Sequence, residues 1–168
     1  FWAQGTTRAV YVLELGDVSV AAAVAALADF IDEDISLGNT YQKFFSYLVP
    51  REWDGETTFK TLTGLYTSPA SLVYFFVTTT IATYQAWVAT KNKSVFAGVE
   101  SPNIPAGEFS MAFPFQSSLA NDPGSSNMVP PMAYRFGYGV TEYPVEGNGT
   151  LLKQLQDNSI NYVGTAAE

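Results

Sequence analysis

Short apolar runs rich in β-branched and aromatic residues recur six times along this chain, separated by five helical or looped segments. That alternation constrains the fold more than any other feature. Runs this apolar need cover on both faces, and the intervening segments are long enough to cross back over a sheet. The pattern therefore predicts an α/β fold with a mostly parallel, doubly wound sheet of about six strands and helices on both faces. Val10 to Leu15 reads as a buried strand closed by Gly16. Asp17 or Ser19 then caps a helix running to about Asp32, since Val20, Val24, Leu27 and Ile31 recur on one helical face.

The unit repeats. Phe44 to Val49 is a strand stopped by Pro50, and Asp54 caps a helix from Gly55 to about Tyr66 with Phe59, Leu62 and Tyr66 on one side. Leu72 to Thr79 is the strongest strand, and its Tyr74–Val77 stretch is the expected centre of the sheet. Thr80 or Thr83 opens a helix to about Thr90 that carries Tyr84, Trp87 and Val88, and Ser94 to Glu100 is a fourth strand stopped by Pro102. Between Pro105 and Ala120, Phe109, Phe113 and Phe115 mark a helix face that Pro114 kinks or breaks. Asn121 to Pro131 is turn-rich. Ala133 to Thr141 alternates Tyr134, Phe136, Tyr138 and Val140, as an edge strand would. Gly147-Asn-Gly-Thr150 opens a helix to about Gln156, and Asn161 to Thr165 is the sixth strand.

A length of 168 residues suits a single domain, 1–168, able to bury a core without disulfide or metal. No basic region after Phe1 leads into an apolar stretch, so no signal peptide is expected, and Asn161 to Glu168, a strand with no element after it, reads as the end of a fragment of a longer chain. Two absences narrow the chemistry. With no Cys, thiol catalysis and thiolate metal sites are excluded. With no His, so are a Ser-His-Asp triad and imidazole ligation of zinc. Sixteen acidic residues against eight basic ones leave a net charge of −8, which argues against nucleic acid as a partner. No apolar stretch reaches the ~18 residues of a membrane span, so no direct membrane insertion is expected.

Polar residues gather where an open α/β sheet places its ligands, at the carboxyl ends of strands. They are Asp17; Arg51 and Glu52; Thr78, Thr79 and Thr80; Glu100 and Ser101; and Thr141 and Glu142. A pair of these carboxylates with neighbouring hydroxyls can hold a divalent cation, which defines the alternative reading: a ligand- or metal-binding α/β domain. A hydrolase built on a carboxylate pair is a further competitor. Helix capping and loop solvation account for the same residues, so no catalytic, cofactor-binding or metal-ligating residue is assigned and no cofactor is expected. Gly137-Tyr-Gly139 lacks the third glycine of a dinucleotide fingerprint and lies inside a strand. Gly147-Asn-Gly149-Thr150 reads as a turn with a helix cap. Asp29, Asp32, Glu33 and Asp34 form an acidic cluster at the expected end of the first helix, where they read as a solvated terminus or as a surface for a cation or basic partner. Asn92-Lys-Ser94 and Asn148-Gly-Thr150 match the glycosylation acceptor pattern, with no secretion signal beside them.

An ordered series of segments carries a resemblance. Tyr11-Val-Leu-Glu-Leu-Gly-Asp17 with its Ala-rich helix comes first, then Phe45-Ser-Tyr-Leu-Val-Pro-Arg-Glu-Trp-Asp54 and Tyr74-Phe-Phe-Val-Thr-Thr-Thr80. Ser94-Val-Phe-Ala-Gly-Val-Glu-Ser-Pro102, Tyr138-Gly-Val-Thr-Glu-Tyr-Pro144 and Asn161-Tyr-Val-Gly-Thr165 complete it. Together they resemble the central part of a contractile bacteriophage tail sheath protein. The resemblance implies a subtilisin-like α/β domain without protease activity, hence not an enzyme. It implies other sheath subunits, in hexameric rings, and the tail tube as partners, and a location in the virion tail after synthesis in the host cytoplasm. It also implies N- and C-terminal arms, outside these residues, that join neighbouring subunits. The sheath contracts to drive the tube through the host envelope.

Overall fold

The computed structural model describes residues 11–37, 44–67, 73–89, 95–100, 111–112, 115 and 148–163. Its centre is a parallel three-stranded sheet of β1 (Ser46–Val49), β2 (Tyr74–Thr79) and β3 (Val95–Val99), in the order β1-β2-β3. Register is set by Val49 opposite Val77 and by Thr79 opposite Val99. A parallel bridge between Gly98 and Asn161 adds a fourth position beside β3. Among the described residues the sheet is accompanied by α1 (Val20–Leu37), α2 (Thr57–Thr63) and α3 (Gly149–Asp157), and Ala112 and Phe115 are also helical. The parallel α/β class read from the sequence is therefore present. Ala133 to Thr141, Ser101, Thr141, Glu142 and the Gly137–Gly139 pair lie outside the described residues.

Period-two alternation divides the sheet into two faces. Val49, Phe75, Val77, Val95, Ala97 and Val99 share one core with Leu27 and Ile31 of α1, Phe59 and Leu62 of α2, and Leu155 and Ile160 at the end of α3. Aromatic rings tie this side together. Phe59 packs edge-on against Phe75 and Trp87, each at 5.7 Å between ring centres, and against Trp53 at 5.2 Å. Phe76, on the opposite face, meets Met111 and Phe115 and stacks on Phe96 at 5.0 Å. β2 is thus buried on both faces, as its unbroken apolar run requires. On that second face the Met111 thioether packs directly over Gly98, where a Cβ would displace it.

The described strands are wound in one direction. α2 lies between β1 and β2 in sequence, a 3-10 turn (Tyr84–Trp87) between β2 and β3, and α3 just before Asn161. All three contribute to the same core on the same face, as connections of one hand must when the sheet grows steadily in one direction.

Several local expectations are corrected. Tyr11 to Leu15 form no strand; Tyr11 and Val12 are largely exposed, at 70% and 90%. Apolar, β-branched composition favours a strand only where a neighbouring strand receives it, and no described strand pairs with these residues, although Tyr11 packs edge-on against Phe44 and Leu15 against the main core. α1 carries the predicted stripe of Val24, Leu27 and Ile31, and Ser19 Oγ accepts a bond from the Ala22 amide at 3.4 Å. It continues past Asp32 to Leu37 because Ile35 extends the stripe and the acidic side chains find donors. The helix expected after Thr80 is the short turn Tyr84–Trp87, which still buries both aromatic rings. α2 is shorter than predicted, and Asp54 does not cap it.

Candidate functional site

Asp54 follows the 3-10 turn Arg51–Trp53 at the carboxyl end of β1, and Gly55 after it has φ +88°, a left-handed conformation suited to glycine. The sharp reversal turns the Asp54 carboxylate across the ends of the neighbouring strands. Its Oδ2 accepts the hydroxyls of Thr79 at 3.0 Å and Thr83 at 2.7 Å, and its Oδ1 accepts the indole N–H of Trp87 at 2.6 Å. Thr83 Oγ1 in turn receives the Thr80 amide at 3.2 Å and lies 2.7 Å from the Thr80 hydroxyl. Thr83 has one proton, which it gives to Asp54, so the Thr80 hydroxyl is the donor of that last pair. The network is complete: one carboxylate gathers the β1–α2 connection, the end of β2 and the Tyr84–Trp87 turn.

Beside it, Arg51 pairs with Glu100 at 3.1 Å, bridging from the end of β1 to the end of β3. The Glu100 amide also donates to the Thr79 carbonyl at 2.7 Å. Both side chains of the ion pair remain partly exposed, so it contributes at most about 1 kcal/mol. Thr78, fully buried on the opposite face, accepts the Met111 amide at 3.3 Å.

Of the strand-end residues picked from sequence, the structure brings Thr79, Thr80, Arg51 and Glu100 to one end of the sheet. Thr78 faces the second core, Glu52 is exposed in the 3-10 turn, and Asp17 stands in an exposed segment with no strand before it among the described residues. Asp54, Thr83 and Trp87 were seen only as cap and helix positions. Their convergence spans 25 to 33 residues of sequence, and the available signal was that Asp54 and Thr79 sit at corresponding ends of adjacent parallel strands. Among the described residues no three His, Cys, Asp or Glu side chains are grouped to hold a metal ion. The strand order does not reverse among them either, so they contain no switch-point crevice of the kind that binds ligands in open α/β sheets.

The acidic cluster lies within the last turns of α1. Asp32 accepts the Tyr66 hydroxyl at 2.7 Å, and Asp34 accepts the Phe44 amide at 2.8 Å. These contacts tie α1 to the α2 end and to the entry of β1, which corrects the reading of a merely solvated helix terminus. Burial pushes the Tyr66 phenol up from its ordinary value, helped by the bond to Asp32 and the charge of Asp32 and Asp29. Burial likewise raises the Tyr47 phenol, with added repulsion from Asp34 and Tyr66. The Tyr47 hydroxyl is buried with no partner among the described residues. Gly149 opens α3 as the sequence suggests, with the Asn148 side chain accepting the Leu151 amide at 3.4 Å.

Comparison of the chain with protein-family models, with curated proteins and with solved structures finds no match. No helix among the described residues is long and apolar enough to cross a membrane.

Proposed function

We propose that this chain is a structural subunit of a contractile phage tail sheath. In this reading the parallel sheet is the centre of a larger, non-catalytic, subtilisin-like domain of about six strands with helices on both faces. The subunit polymerises with its copies around the tail tube and belongs to the virion tail. The observation that carries the reading is the state of the strand carboxyl ends. Where an enzyme of this class would hold free acids and bases, both Asp54 oxygens receive donors from the chain itself and Arg51 is paired with Glu100. Such an end holds the crossovers in place, which suits a subunit that transmits force through its fold. The lack of His and Cys and the ordered series of sheath-like segments point the same way.

The test is electron microscopy and light scattering on the protein made from its complete gene, across a salt series. Rings or tubes are expected, favoured by higher salt, because a charge of −8 on these residues repels like copies until screened. A monomer at every salt concentration, with a melting temperature raised by a divalent cation or a nucleotide, would overturn the sheath in favour of the ligand-binding alternative.

A further inference from the structure

Eight asparagines are spread along the chain, and Asn148 alone is followed by glycine. The structure sets it apart again. Asn148 and Gly149 are both exposed, and nothing lies within 4 Å of the place a Gly149 Cβ would occupy. Asn148 has φ −97° and ψ 53°, outside the helical region, and among the described residues its side chain makes one bond, accepting the Leu151 amide at 3.4 Å. The Gly149 amide is among the first in α3, which have no carbonyl partner within the helix. The two other asparagines among the described residues are held by their side-chain nitrogens. Asn158 donates to the Gln154 carbonyl at 2.8 Å and Asn161 to the Ala97 carbonyl at 2.9 Å. Each is followed by a residue with a side chain, Ser159 or Tyr162.

We infer that Asn148-Gly149 is a site of spontaneous covalent modification, at which Asn148 deamidates through a cyclic imide. The Gly149 backbone nitrogen, losing its proton to solvent base, attacks the Asn148 Cγ. A C–N bond forms, the Cγ–Nδ2 bond breaks, and ammonia leaves with a proton from water. Water then opens the five-membered ring at one carbonyl or the other, giving aspartate or isoaspartate. Glycine permits the attack because no Cβ obstructs the approach of its nitrogen. Among the described residues, the 3.4 Å cap bond is what must be released first.

The two products act oppositely on α3. Aspartate keeps the capping oxygen and adds a negative charge where the helix dipole favours one. Isoaspartate lengthens the backbone by one methylene and displaces that oxygen from the Leu151 amide. Since α3 is anchored by Leu155 and leads through Ile160 to the Asn161 bridge, the isoaspartate form loosens that bridge beside β3.

The test is to age the folded protein in mildly alkaline buffer and map the peptides by mass spectrometry, scoring isoaspartate enzymatically. The gain in mass is expected at Asn148, with Asn158 and Asn161 unchanged. Gly149→Ala, whose Cβ enters open space in a helical position, keeps the fold by circular dichroism and loses most of the conversion. An unmodified Asn148 in the folded protein, under conditions that convert a free peptide of the same sequence, overturns the inference. So does a Gly149→Ala protein that converts at the parent rate.

Discussion

A single carboxylate organises one end of the sheet. Asp54 accepts three donors, one from the end of β2 and two from the turn that follows it, and Thr79, one of them, is fully buried. Asp54→Asn puts an amide nitrogen where at least one of these donors now points, leaving N–H or O–H groups facing each other. The expected loss is roughly 1–3 kcal/mol, the cost of unsatisfying partly buried donors. A fall in the urea midpoint with an unchanged denaturant slope would show it; a midpoint like the parent's would mean that the network is replaceable by water. Sequence alone presented Asp54-Gly55 as a cap signal, since the local spacing is right and the true partners are far along the chain. The Thr-rich end of β2 was legible as polar, but which carboxylate it served depended on the register of β1 against β2.

At the scale of elements, the apolar content of β2 and the stripe of α1 were legible because burial on both faces and on one face leave different periodicities. Phe76, 1% exposed and stacked on Phe96, tests the first of these. Phe76→Ala should cost about 3–5 kcal/mol in chemical denaturation, the usual range for a buried Phe. A loss under about 1 kcal/mol would place the ring at a yielding surface. Tyr11 to Leu15, the described part of the expected first strand, has the composition of a strand while the decision belongs to packing partners elsewhere in the chain. The end of α3 was read only roughly, and its detail is informative. Ile160 N–H bonds to the Leu155 carbonyl and Ser159 N–H to the Gln156 carbonyl, both at 2.9 Å, with Leu155 and Ile160 buried together. This is a Schellman closure, and Ser159 holds its left-handed position at φ 55° without being glycine. Ser159→Gly should therefore stabilise the protein by about 0.5–1 kcal/mol, the relief of strain exceeding the added chain entropy. A lower thermal midpoint in that variant would contradict the assignment.

For the molecule as a whole, the two buried phenols predict how stability responds to alkali. Tyr47 and Tyr66 both have folded values raised above the ordinary one, mainly by burial. Their contribution is intact below about pH 10, where the unfolded chain keeps its phenols protonated too. As pH rises further the unfolded state loses protons that the folded state retains, so stability falls until the folded values are passed. Urea midpoints should decline above about pH 10, and Tyr47→Phe should flatten the decline while gaining up to about 1 kcal/mol at neutral pH, since it removes an unpartnered buried hydroxyl. An equally steep decline in Tyr47→Phe would remove that phenol from the account. The bridge beside β3 has a different consequence, in time. Asn161 donates to the Ala97 carbonyl across 64 residues of chain, through its backbone and its side chain, and its own carbonyl accepts the Val99 amide at 2.9 Å. Contacts of such long sequence separation carry a loop-closure cost that must be met before they are rewarded. β1, β2 and α2 are neighbours in the chain and can condense early. The Ala97 carbonyl and Val99 amide must wait for Asn161 to leave the ribosome, so a nascent chain stalled before that point presents an open strand edge to chaperones and to its own copies.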